Sequence, residues 1–213
     1  MKFCVIGVGR FGQQVVKTLH KNGAEVLAVD TLESNIANIR NYTAQAICVT
    51  IQDESTLEAI GVDEMDTIII GIGENFSQSI LIAAILKKRS KKYKVIARAT
   101  GKVQKEIFKI IGVDQVICPE EEIAIELADT LSYPFTNIAC LDENLSIGLI
   151  ATPPKFIGKT IAETMLYEKY GISCFAVKQN DVYQSVDQSY IIFEGDLLAV
   201  SGNSKTIGEL LHL

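Results

Sequence analysis

Gly7, Gly9 and Gly12 stand in the run Gly7-Val8-Gly9-Arg10-Phe11-Gly12, and Asp30 follows about twenty residues later. Residues of these types at this spacing can do one recognisable piece of chemistry. Main-chain N–H groups at the opening of a helix hold an anion, and a carboxylate at the end of the next strand accepts the hydroxyls of a sugar. Asp30 would repel a phosphate on the ribose 2′ oxygen, and no Arg or Lys follows it in residues 31–35. Adenosine nucleotides lacking that phosphate are the expected ligands.

The elements that must position these residues can be read around them. Residues 2–6 form an apolar strand, and a helical pattern then runs to Asn22-Gly23 with Val15, Val16 and Leu19 on its buried face. Residues 25–30 make a second strand that ends in the acid. Gly7 permits a sharp turn, Gly9 clears the approach to the helix, and Gly12 lets the helix lie close to the strand. Residues 50–53, just past a third strand at 46–49, are candidates to border an adenine, with Ile51 and Gln52 as candidate contacts there, and Thr31, beside Asp30, is a further candidate contact. A fourth strand, residues 67–70, is β-branched and continuously apolar, as a strand buried on both faces should be. It leaves through Gly71-Ile72-Gly73-Glu74-Asn75, where Gly71, Gly73 and Glu74 are candidate ligand contacts. A plain strand-to-helix turn would read the same way.

Further along, residues 94–97 form a strand with the candidate contact Arg98 at its end, and Gly112-Val113-Asp114 turns the chain into a last strand that stops at Pro119. About six strands alternate with helices over roughly 118 residues, which predicts an α/β fold with a Rossmann-like, doubly wound parallel sheet. Glu120-Glu121-Glu122 opens the next helix, where acids favour the helix dipole. Their position at the carboxyl edge makes them candidate cation ligands. Residues 132–137 break the helical pattern and read as a linker. Beyond it, strands at 145–151, 172–177, 182–185 and 196–200, with helices at 160–167 and 205–211, predict a small α+β lobe. The expected domains are residues 1–131, including the crossover helix, and residues 138–213.

Composition narrows the function classes. Apolar residues make up 48% of the 213, and mean hydropathy is +0.23, so a substantial core is expected and disorder is not. No apolar run reaches the roughly 20 residues of a membrane span, and the first strand begins too early for a secretory signal. A soluble, cytoplasmic chain is expected. The five cysteines have no CxxC pair and read as reduced core thiols, with no spacing for zinc. Net charge is −6 and the cations are spread out. The one basic cluster, residues 87–92, reads as a solvated helix end, so nucleic acid is not an expected partner.

Taken together, the glycine run, Asp30, the stretch Gly112-Val113-Asp114-Gln115-Val116-Ile117-Cys118-Pro119-Glu120, Lys169-Tyr170-Gly171 and Phe193-Glu194-Gly195-Asp196 resemble the RCK regulators of bacterial potassium transport, the cytosolic subunits of Ktr and Trk systems. The resemblance covers nearly the whole chain. It implies a homodimer that assembles into an octameric ring, peripheral on the inner membrane face. The ring would sit under a potassium-translocating membrane subunit of the KtrB, KtrD or TrkH kind. It implies ATP or ADP, or in some members NAD or NADH, in the N-terminal lobe, with Arg10 reaching the γ-phosphate and Glu120 helping to hold a cation such as Mg2+. Relatives that bind cyclic di-AMP often carry an Arg two residues before the Lys-Tyr-Gly. Tyr167 stands there in this chain, which speaks against that ligand.

Arg10 can also be weighed on its own. Amides already bind the anion, so the guanidinium fork is free to tell ATP from ADP, or to lie on the surface. Two further functions carry the same nucleotide lobe: an NAD-dependent oxidoreductase, and an NADH-responsive redox sensor or repressor. The first wants a His, Lys or Tyr beside the nicotinamide, and His20 and His212 are poorly sited for that. The second wants a basic recognition helix that the chain lacks.

Overall fold

The computed structural model describes residues 1–89, 92–132, 135–141 and 144–210. The chain packs as two units, Met1–Ile123 and Ala124–Leu213.

In the first unit strands and helices alternate: β1 (Lys2–Ile6), α1 (Arg10–Lys21), β2 (Glu25–Asp30), α2 (Glu33–Ile39), β3 (Gln45–Cys48), α3 (Glu54–Ala59), β4 (Thr67–Ile70), α4 (Phe76–Arg89), β5 (Lys94–Arg98), α5 (Lys102–Ile111) and β6 (Gln115–Ile117), after which α6 (Pro119–Ser132) begins in the first unit and continues into the second. The six strands pair in the order β3-β2-β1-β4-β5-β6, and every pairing is parallel. This is the Rossmann-like sheet that the alternation predicts. The order reverses between β1 and β4, so the loops leaving those two strands diverge and open a crevice at their carboxyl ends.

Side-chain alternation divides the core between the two faces. Val5, Val26, Ala28 and Ile69 meet Val16 of α1 and Ile36 and Ile39 of α2 on one side. Cys4, Ile6, Leu27, Ile68 and Val95 meet Leu57 of α3, Leu86 of α4 and Phe108 of α5 on the other. Phe108 is fully buried and meets Phe76 edge-on at 5.7 Å, a placement worth roughly 1.5–3 kcal/mol in burial alone.

Polar side chains close the turns between these elements. Asp53 caps α3 by accepting the Thr56 N–H at 2.9 Å. Gly112 ends α5 with φ +86, and Asp114 then accepts from Val95 N–H at 2.7 Å and from Lys87 Nζ at 3.0 Å, fixing the entry to β6. The basic cluster therefore differs from its expected role as a solvated helix end. Lys87 is held by Asp114, and the mostly buried Arg89 is clamped between Glu54 and Asp63 at 2.9 and 2.6 Å. Acids from distant loops fold back over the end of α4, which spacing along the chain does not reveal. Ser90 and Lys91 lie outside the described residues. Cys4 and Cys118 are core thiols, and burial pushes Cys4 up to about 12, whereas Cys48 is exposed at the sheet edge rather than in the core.

The second unit is built on a five-stranded antiparallel sheet, ordered β10-β9-β11-β8-β7, from β7 (Phe135–Cys140), β8 (Ser146–Ala151), β9 (Ser173–Gln179), β10 (Val182–Ser185) and β11 (Leu197–Gly202). Ile150, Val177, Leu198 and Val200 on one face bury Ile161 of α7 (Ile161–Thr164), Leu166 of α8 (Leu166–Tyr170), and Ile207 and Leu210 of α9 (Ser204–Leu210).

Two local expectations change here. The stretch read as a linker, residues 132–137, contains the start of β7 at Phe135, because pairing with β8 recruits it; Tyr133 and Pro134 lie outside the described residues. The single helix expected over 160–167 is two short ones, split at Met165, which takes a left-handed φ of 52. Thr160 and Glu163 form a complete capping box on the first. No helix among the described residues is long and apolar enough to cross a membrane.

Candidate functional site

β1 delivers its last residue, Ile6, into the crevice, and the chain must reverse into α1 within a few residues. Gly7 makes that turn with φ +88, where a side chain would also strike Ile72. A Cβ on Gly12 would drive into the Gly7 carbonyl oxygen, so α1 can approach β1 this closely only with glycine there. A Cβ on Gly9, by contrast, would meet nothing within 4 Å. α1 starts at Arg10 with no side-chain cap and no acid in its first turn. Its leading N–H groups therefore face a space that an anion can occupy.

That space is a cleft of about 790 Å3 at the carboxyl ends of the strands. Gly7, Gly9, Arg10 and Phe11 form its floor from the β1–α1 turn, and Asp30 and Thr31 come from the end of β2. Ile51 enters from the loop after β3. Gly71, Gly73 and Glu74 come from the exit of β4, Arg98 from the end of β5 and Glu120 from the first turn of α6. Three of the candidates read from the sequence do not line it. Val8 is buried behind the turn, Gly12 lies beneath it, and Gln52 is exposed outside the cleft.

Asp30 is oriented before any ligand arrives. Its Oδ2 accepts the Val8 N–H at 2.7 Å, and its Oδ1 accepts from Leu32 N–H at 2.9 Å and from the Asn35 amide at 3.2 Å. An ionised carboxylate has about four acceptor directions, so roughly one remains, on Oδ2, for a sugar hydroxyl. Arg10 is exposed at the rim.

Arg98 is mostly buried. It is ion-paired with Glu120, and its guanidinium carbon lies 5.5 Å over the ring of Phe11. The Glu120 carboxyl is held below its usual range, first by its own main-chain N–H and then, against partial desolvation, by Arg98. Among the described residues no group of three acids, cysteines or histidines could hold a metal. Glu120 fits a hard cation only as a single oxygen ligand, with phosphate oxygens and water completing the shell, which is how Mg2+ is commonly held.

Several lining residues carried no signal that the reading of the chain used. Asn35 orients Asp30, and Gln78, on the first turn of α4, donates its amide to the Ile51 carbonyl and so ties the β3 loop to the β4 exit. A polar residue in the first turn of the helix that follows the glycine exit was the available clue for Gln78.

Comparison with known proteins agrees with this architecture. The TrkA-N domain model matches residues 3–119 and the TrkA-C domain model residues 149–213. The Ktr system potassium uptake protein A of Bacillus subtilis (strain 168) is 31% identical over 208 residues, spanning 97% of this chain and 93% of that one. Protein C of the same system and organism is 30% identical over 204 residues, with coverage of 95% and 92%. Among solved structures, the GsuK channel bound to NAD aligns with 99% of this chain and 38% of its own length, at TM-score 0.65 and 18% identity, and so speaks to the fold. With a TrkA-N domain followed in order by a TrkA-C domain, the chain belongs to the TrkA, or RCK, family of the potassium transport proteins.

Proposed function

We propose that the protein is a nucleotide-binding regulatory subunit that gates a membrane potassium-translocating partner of the Ktr or Trk type. The observation that carries this reading is the cleft at the β1/β4 reversal, where an uncapped helix start, open space over Gly9 and the pre-oriented Asp30 converge. ATP or ADP is the proposed ligand, with NAD or NADH the alternative. Phosphates rest on the amides of α1, the ribose reaches the last acceptor direction of Asp30, and the base lies toward Thr31 and Ile51. The charged side chains lining the cleft are Arg10, Asp30, Glu74, Arg98 and Glu120, a set suited to phosphate and a cation such as Mg2+.

Regulation requires a ligand that tells two conformations apart, and an oligomer supplies such states. Exposed apolar side chains support self-association: Ile123, Ile125, Leu127 and Leu131 along α6 are all more than half exposed in the single chain. A homodimer building an octameric ring on the cytoplasmic face of the membrane is the proposed assembly, acting without catalysis of its own.

Titration calorimetry with ATP, ADP and NADH tests the ligand, and light scattering tests the assembly. Heat of binding from an adenine nucleotide, and a particle several-fold heavier than 23.3 kDa, are expected. Silence with all three nucleotides overturns the reading.

A further inference from the structure

Gln78 carries an amide that is anchored at one end and open at the other. It stands on the first turn of α4, where the Asn75 side chain holds its main-chain N–H at 3.1 Å and so caps the helix. The Gln78 side chain crosses to the loop after β3 and donates Nε2–H to the Ile51 carbonyl. A carbonyl oxygen only accepts, so this contact settles which end of the amide faces the loop. Oε1 is left with no partner among the described residues, and the second Nε2 hydrogen is left with it.

The surroundings suit a flat heteroaromatic ring. Gln78 lines the cleft with Leu32 from the loop after β2, Val49 and Ile51 from the loop after β3, and Ile82 one turn further along α4. Ile51 and Ile82 belong to one buried cluster against which Val49 packs, while Leu32 is 58% exposed. Side chains of this kind cover the faces of a ring, and its polar edge then depends on the few polar groups within reach. A primary amide offers an acceptor and a donor side by side. Adenine offers the complement, an N6 amino group and a neighbouring ring nitrogen. Hypoxanthine and guanine carry a 6-oxo group instead, which would meet Oε1 as one acceptor against another. The amide cannot turn over to suit them without giving up its hydrogen bond and setting Oε1 against the Ile51 carbonyl.

We propose that Gln78 is the residue that selects the base. Oε1 accepts from the adenine N6 amino group, the free Nε2 hydrogen donates to the neighbouring ring nitrogen, and the Ile51 carbonyl holds the amide in the orientation that refuses a 6-oxo purine. The proposal rests on the nucleotide reading above and deepens it from a ligand class to a choice among purines. The α1 amides and Asp30 address phosphate and ribose, which all purine nucleotides share, so the choice falls to this side chain.

The test is titration of the full chain with ATP, ITP and GTP or, where the dinucleotide is the ligand, with NADH and its hypoxanthine analogue. Wild type is expected to hold the adenine form roughly tenfold to a hundredfold more tightly than the 6-oxo forms. Gln78→Met keeps the length of the side chain and removes both polar ends. It should weaken ATP by about tenfold, leave ITP within about twofold, and bring the ratio of the two close to one. Gln78→Asn keeps an amide that is one methylene too short to hold the Ile51 carbonyl and the base together, and most of the preference should go there too.

The ratio separates selection from a structural tie. If Gln78 only fastens the β3 loop to α4, Gln78→Met weakens all the nucleotides alike and leaves their ratio unchanged, and the proposal is overturned. A wild type that binds ATP, ITP and GTP equally overturns it as well, and so does a Gln78→Asn protein as selective as wild type. Those results leave nucleotide binding standing, whereas a wild type that binds no purine nucleotide removes the functional reading and this proposal together.

Discussion

Asp30 in the first unit and Asp196 in the second are the same chemical group put to opposite uses. Asp196 is 2% exposed and closed inside the fold: it accepts from Tyr190 Oη at 3.0 Å, from Phe193 N–H at 2.9 Å and from the Gln179 amide. Asp30 accepts the same number of hydrogen bonds, but at the wall of a cleft, where its remaining acceptor direction is open to a ligand. The contrast follows from the two sheets. Parallel strands bring every strand-to-helix loop to one edge, so polar groups at their ends converge on shared space. Antiparallel strands reverse at both edges, and a buried carboxylate there must be paired locally or destabilise the fold. With equal numbers of hydrogen bonds, burial makes one acid structural and access to a cleft makes the other part of a site.

The largest effect that would sharpen this contrast lies under the cleft. Gly12→Ala forces a methyl group into the Gly7 carbonyl and should cost about 3 kcal/mol, read in urea unfolding, with loss of nucleotide binding as the turn shifts. Asp196→Ala comes next. It leaves three donors without their acceptor and should cost about 2–3 kcal/mol in the same measurement, while nucleotide affinity of the folded protein stays as it was. A large drop in nucleotide affinity would break the distinction between the two acids.

Asp30→Ala should do the reverse, weakening nucleotide binding by roughly tenfold for about 1–2 kcal/mol of stability lost at Val8 and Leu32. Thr160→Ala, which removes the cap of α7, should cost about 1 kcal/mol and nothing in binding.

The smallest effect concerns pH. Glu163 is held below the usual carboxylate range because the Thr160 N–H, and then its hydroxyl, donate to it. With a depressed folded value, its contribution is complete above the unfolded value of about 4.3 and is lost as pH falls through the lower folded one. The melting temperature should therefore decline below about pH 4. In Glu163→Gln the decline should be slightly shallower, and identical curves would remove Glu163 from the acid response.

Much of the first unit was legible because its signals are local. A strand, a glycine turn, an amphipathic helix and a terminal acid occupy thirty consecutive residues, and each part follows from main-chain geometry that neighbours in the chain impose. The second unit was harder. β7 hides in a stretch that looks like a linker because Ser132-Tyr133-Pro134 reads as a break, and only hydrogen bonding to β8 makes a strand of the residues that follow. Met165, with no glycine to announce a left-handed residue, divides a helix that reads as continuous. The basic run ending α4 looked solvated because Glu54 and Asp63, which bind Arg89, lie 35 and 26 positions away.

By itself the amino-acid sequence determined that this chain would build a parallel nucleotide-type sheet, turn tightly at Gly7 and end its second strand in a carboxylate, since these depend on local sterics and on side-chain periodicity. Only the tertiary structure decided that Asp30 would have one acceptor direction left, that Gln52 would lie outside the cleft, and that Arg98 would rest between Phe11, Gly73 and Glu120. Those outcomes belong to groups brought together from separate strands and loops, and the free energy of a hydrogen bond or ion pair exists only once folding has set its distance and its exposure to water.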